Sequence, residues 1–127
     1  MKQSPVLLID DDPDLLRLMR GAFERDGWRV KAAEDGRVAM KAFEADPPRL
    51  VVADIIMPTQ EGIETIMAMK QRRPDVPIVA ISGGGRLGGV DFLKLARRLG
   101  ADATLAKPFR MDELVALARN CLAATPA

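Results

Sequence analysis

The sequence predicts an α/β fold, a doubly wound parallel sheet of five strands with helices on both faces. Three observations lead there. Short apolar runs closed by turn residues alternate five times with stretches of helical periodicity, the pattern of βα units joined by right-handed crossovers. Residues 50–58, Leu-Val-Val-Ala-Asp-Ile-Ile-Met-Pro, follow Pro47-Pro48 and read as a strand buried on both faces. No linker, repeat or low-complexity segment interrupts the alternation. The 127 residues are therefore expected to be one domain, with its core over about residues 5–123 and no output domain.

The elements follow in order. Val6–Ile9 is the first strand, closed by Asp10-Asp11-Asp12-Pro13; Pro13 suits the first turn of a helix and Asp12 its cap. Leu15, Leu18, Met19, Ala22 and Phe23 then recur at helical spacing, up to Gly27 as a C-terminal cap. Residues 29–33 form a second, less apolar strand suited to an edge, and a helix from about Asp35 carries Val38, Ala39, Ala42 and Phe43 on one face. The central strand ends at Asp54. A helix over about 61–72 carries Ile63, Ile66, Met67 and Met69, with the methionines read as packing. Asp75-Val76-Pro77 turns the chain into a strand over 78–81 that ends at Ser82. A glycine-rich loop, 83–89, leads into a helix with Val90, Leu93, Leu95 and Leu99, capped by Gly100. Ala103–Ala106 is the fifth strand, ending at Lys107-Pro108-Phe109, and a last helix over about 111–123 carries Leu114, Val115, Leu117, Ala118 and Cys121.

Composition removes several function classes. The content of 48% apolar and 29% charged residues is that of an ordinary globular chain. A net charge of +1 offers no broad footprint for nucleic acid or an anionic membrane, and Arg17, Arg20, Arg25, Arg97 and Arg98 fall on helices as solvated faces. With no histidine, imidazole zinc sites and His acid–base catalysis drop out. The single cysteine, Cys121, allows no internal disulfide; it reads as a small buried apolar residue in a reducing compartment. The N-terminal apolar run is too short for a signal peptide or a membrane span, so a cytoplasmic protein is expected.

The chemistry gathers at the strand ends. In a parallel sheet the carboxyl ends share one edge, where ligands bind. Strand one ends in Asp10 and Asp11, strand three in Asp54, strand four in Ser82 and strand five in Lys107. Three converging carboxylates repel one another unless a cation sits among them, and hard oxygen donors suit magnesium. A lysine and a hydroxyl facing them suit phosphoryl oxygens. Asp54 is the natural acceptor, because aspartate can form an acyl phosphate.

In this order and spacing the residues resemble the receiver domain of two-component response regulators, the chemotaxis-type or CheY-like phospho-acceptor module on a flavodoxin-like fold. The resemblance runs from Val6 to about Leu122. It rests on Asp10-Asp11 after strand one, Asp54-Ile-Ile-Met57-Pro58, Gly62 three residues after Thr59, Ser82 after Ile-Val-Ala-Ile, and Lys107-Pro108-Phe109. It implies a strand order of 2-1-3-4-5, that of the chemotaxis member of the fold. It also implies that Asp54 takes a phosphoryl group from a phosphohistidine on a histidine kinase or histidine phosphotransfer protein. Asp10, Asp11, Asp54 and the backbone carbonyl of Ile56 would hold Mg2+ or Mn2+. Lys107 and Ser82 would bind the phosphoryl oxygens, and the Lys107–Pro108 peptide would be cis. Output would be contact with a downstream protein, through a face including Leu95, Arg98 and Arg119, by a monomer or weak dimer. Neither nucleic acid nor membrane is an expected partner.

The chain departs from the family pattern in three places. Thr104 stands where the family carries Tyr or Phe, so the ring of the usual switch is missing. The loop 83–89 is a few residues longer than the norm, and its glycines make it the expected mobile signalling element. Ile56 and Gly84 offer no polar side chain to orient an attacking water, which predicts a slowly hydrolysed acyl phosphate.

Rival readings exist. Asp10-x-Asp12 after strand one also resembles the haloacid-dehalogenase phosphatases, with Asp10 as nucleophile and Asp12 as general acid. Pro13 replaces the expected Thr or Val, however, no acidic pair follows Lys107, and Asp54 would have no role. A phosphorylation-independent interaction module is a further alternative. Gly83-x-Gly85-x-x-Gly88 mimics a dinucleotide fingerprint, but it sits in the fourth unit and no ribose-binding acid ends the next strand.

Overall fold

The computed structural model of the chain describes residues 3–55, 60–82, 86–87, 90–98 and 100–124. In order these form β1 (Val6–Ile9), α1 (Pro13–Arg25), β2 (Val30–Ala33), α2 (Gly36–Ala45), β3 (Leu50–Asp54), α3 (Gln60–Arg72), β4 (Ile78–Ser82), β5 (Arg86–Leu87), β6 (Val90–Asp91), α4 (Phe92–Arg98), β7 (Ala103–Ala106) and α5 (Met111–Ala124). Five strands pair in parallel as β2-β1-β3-β4-β7, the expected 2-1-3-4-5 order with β7 as the fifth strand of the sheet.

Helices cover both faces, so the apolar residues of β1 and β3 are buried, as their unbroken apolar runs require. Alternation along each strand splits the core into two layers. Val6, Leu8, Leu50, Val52, Val79 and Ile81 pack with Leu16, Met19 and Phe23 of α1 and Leu114 and Ala118 of α5. Leu7, Ile9, Val51, Ala53, Ile78 and Ala80 pack with Phe43 of α2, Ile66 and Met69 of α3 and Ala96 of α4. The first edge strand, β2, exposes Lys31 and Ala32, in keeping with its mixed composition. The Arg119 guanidinium donates to Asp26, which also accepts from the Trp28 indole at 2.8 Å, and so ties α5 to the end of α1. Cys121 is half-buried against the α1/α5 layer rather than fully enclosed.

Two expectations need correction. The helical faces are rolled from the predicted stripes: Leu18, Val38 and Met67 are exposed, whereas Leu16, absent from the predicted stripe of α1, is buried. Spacing alone admits neighbouring stripes on one helix, and the one that faces the sheet is decided by packing. Residues 86–87 and 90–91, read as loop and helix start, instead pair antiparallel as β5 and β6, with Arg86 opposite Asp91 and Leu87 opposite Val90. The helix therefore begins at Phe92, not near Val90. A Gly-Gly pair between two short strand-forming stretches is itself a hairpin signal that the loop reading passed over. Gly83, Gly84, Gly85, Gly88, Gly89 and Leu99 lie outside the described residues.

The turn into β7 depends on Gly100, whose φ is +117°. A Cβ there would lie 2.8 Å from Lys70 Cγ, and Lys70 Nζ is held 2.7 Å from Asp102 Oδ2 and 3.0 Å from the Val76 carbonyl. Gly100→Ala is expected to cost about 2 kcal/mol, read as a fall of about 7 °C in thermal melting. Gly27→Ala, at φ +90° with nothing within 4 Å of the new Cβ, should cost about half as much. Equal losses would show that the Lys70 contact carries no weight.

Candidate functional site

Register brings the acids together. Ile9 pairs with Ala53, so Asp10 and Asp54 emerge side by side at the carboxyl ends of β1 and β3. Alternation gives both the face that Leu8 and Val52 occupy. Ser82 ends β4 opposite Ala106 of β7, and Lys107 follows directly.

The Lys107 ammonium lies 3.1 Å from Asp54 Oδ2 and 3.7 Å from Asp10 Oδ2. The side chains of Asp10 and Asp54 are 0% and 4% exposed, and that of Lys107 21%. Among the described residues one cation thus serves two desolvated carboxylates, and negative charge is left over. Burial drives the Asp54 carboxyl up to about 7, the Asp10 carboxyl pushes it the same way, and Lys107 pulls against both. Asp10 Oδ1 accepts the Asp12 backbone N–H at 2.8 Å, while Asp10 Oδ2 is buried without a hydrogen-bond partner among the described residues.

Asp11 stands exposed at the rim, and one oxygen each from Asp10, Asp11 and Asp54 lie within 4.8 Å of one another. An all-oxygen donor set, an orphaned buried carboxylate oxygen and surplus negative charge fit a hard divalent cation such as Mg2+. The Lys107–Pro108 peptide is cis.

The fold therefore gathers Asp10, Asp11, Asp54 and Lys107 into one crevice. Thr104 sits half-buried in β7 opposite Ala80. Ile56, Met57, Pro58 and Thr59 lie outside the described residues, as do the side chains of Ser82, Gly62 and Leu95. Arg98 is exposed, and Arg119 of the expected docking face is engaged with Asp26. Asp12, read from sequence as a helix cap and, in the phosphatase alternative, as a general acid, also supplies the main-chain donor that Asp10 uses; the signal was the Asp-x-Asp-Pro spacing ahead of a helix.

A five-stranded parallel sheet in the order 2-1-3-4-5, with acids facing a lysine at its carboxyl edge, defines a doubly wound α/β domain of the flavodoxin-like class. The family model for the response regulator receiver domain matches residues 6–119, and the chain belongs to that family, the receivers of two-component response regulators. The chain is 37% identical over 117 residues to the transcriptional regulatory protein CpxR of Escherichia coli, covering 92% of this chain and 48% of that one. It is 32% identical over 124 residues to the response regulator MprA of Mycolicibacterium vanbaalenii, covering 94% and 51%. The chain thus spans about half the length of these curated relatives. Among solved structures, NtrX from Brucella abortus superposes with a TM-score of 0.86 at 29% identity, over 98% of this chain and 28% of that one. The receiver domain of Francisella response regulator 1452 gives 0.83 at 25% identity, over 98% and 100%.

Proposed function

We propose that the domain accepts a phosphoryl group on Asp54 from a phosphohistidine of a histidine kinase or histidine phosphotransfer protein, in a Mg2+- or Mn2+-dependent reaction, and signals through protein contact. The observation that carries this reading is the pairing of Asp54 Oδ2 with Lys107 Nζ at 3.1 Å beside the orphaned Asp10 Oδ2. An Asp54 oxygen attacks phosphorus; the O–P bond forms as the P–N bond breaks, and the electron pair leaves on the imidazole nitrogen, which takes up a proton. Lys107 favours the anionic, nucleophilic form of Asp54 against burial, then stays beside the incoming phosphoryl oxygens. Ser82, at the same sheet edge, is the hydroxyl for a further phosphoryl oxygen. Asp10, Asp11, Asp54 and the carbonyl of Ile56 would hold the divalent ion, whose charge offsets that of the transferring group.

The domain acts on itself rather than turning over external substrates. In the phosphatase alternative Asp12 is the general acid, but its Oδ1 accepts from the amides of Asp14 and Leu15 and caps α1. A cytoplasmic location belongs to the same proposal; among the described residues no helix is long and apolar enough to cross a membrane.

Incubation with acetyl phosphate and Mg2+ is expected to add one phosphoryl mass to the intact protein and none to Asp54→Asn. No gain in the wild type, or an equal gain in the variant, would refute the assignment.

A further inference from the structure

We propose that Asp12 is a positioning residue for the cation site: by capping α1 it fixes its own amide on Asp10 and leaves the second oxygen of Asp10 free for the ion. The inference rests on the cation reading above and deepens it.

Asp12 is pinned from both sides. Pro13 disfavours helical geometry for the residue before it, and Asp12 is extended at φ −91°, ψ 107°. Its Oδ1 accepts from Asp14 N at 3.0 Å and Leu15 N at 3.4 Å, which fixes the residue against the helix start. In that posture its own N–H points back at Asp10 Oδ1, 2.8 Å away. The Asp10 carboxylate is thereby held by one oxygen. The other is buried, without a hydrogen-bond partner among the described residues, and 3.7 Å from Lys107 Nζ, which also lies 3.1 Å from Asp54 Oδ2. Without the Asp12 amide in place, the carboxylate could turn and offer its oxygens interchangeably. Asp12 itself is exposed and stands outside the group of three acids whose oxygens converge, so its contribution is orientation rather than ligation.

The test separates capping from charge. Mg2+ affinity of the unphosphorylated protein is measured by calorimetry, with no phosphodonor present. Asp12→Ala is expected to weaken binding about tenfold. Asp12→Asn keeps a capping oxygen and should stay within about twofold. With acetyl phosphate, Asp12→Ala should raise the Mg2+ concentration for half-maximal rate and leave the maximal rate unchanged, a split that general loss of structure would not produce. Wild-type affinity in Asp12→Ala, or equal losses in the Ala and Asn variants, would overturn the proposal. Should Asp12→Ala not fold, Asp12→Gly serves in its place, since glycine caps a helix at little cost but offers no side-chain oxygen. Asp10→Asn is the control: if it binds Mg2+ as the wild type does, the cation reading fails rather than the role of Asp12.

Discussion

Lys107→Ala is expected to destabilise the metal-free protein by about 3 kcal/mol at about pH 8, a fall of about 10 °C in melting temperature. The ammonium lies within 4 Å of both Asp10 Oδ2 and Asp54 Oδ2, and both carboxylates are desolvated. Removing it leaves two like charges facing each other without the ammonium they share, which costs far more than losing an exposed ion pair. The loss should shrink as pH falls and Asp54 takes up a proton, because one carboxylate then becomes neutral. Phosphorylation by acetyl phosphate should slow by about a hundredfold or more, as the charge on the transferring group loses a fixed donor. A variant that melts with the wild type at about pH 8 would show that the two acids do not depend on Lys107.

Asp54→Asn is expected to do the reverse, stabilising the metal-free protein while abolishing phosphorylation. The folded-state carboxyl is raised from 3.8 to about 7, first by burial and then by Asp10. Between those values the folded chain keeps a proton that the unfolded chain has lost, so stability falls as pH rises through the window. Below about pH 4 both states are protonated and the penalty is absent; above about pH 7 it is complete. Asn removes the penalty. Its advantage should be near zero at about pH 4 and grow to about 2 kcal/mol at about pH 8, where added Mg2+ should raise wild-type melting more than that of the variant. Melting curves across this range give the answer. An advantage that does not depend on pH would mean that the carboxyl at 54 carries no burial penalty.

Much of this was legible in the chain itself. The apolar runs ending at Ile9, Ala53 and Ile81, each followed by a polar residue, announce buried parallel strands with chemistry at their tips. Asp12-Pro13 and Gly27 mark the ends of α1 as they occur in the structure. The β5–β6 pairing was signalled only by Gly88-Gly89 between two-residue stretches, which are too short to show the period by which a strand is read. The roll of the helices that exposes Leu18 and buries Leu16 was not legible, since two stripes a few tens of degrees apart satisfy the same spacing.

By itself the sequence determined the alternation of strands and helices, the residues at each strand tip and the absence of imidazole chemistry, all consequences of local composition and of which side chains follow which apolar run; the strand order to expect came from the family resemblance. Only the tertiary structure decided that Ile9 lies opposite Ala53, that one lysine is shared between two enclosed carboxylates, and that Asp10 keeps a buried oxygen with no hydrogen-bond donor among the described residues. Those features depend on strand register and on exclusion of water by residues distant in the chain. Desolvation is a collective property of the packed sheet, and no single stretch of sequence carries it.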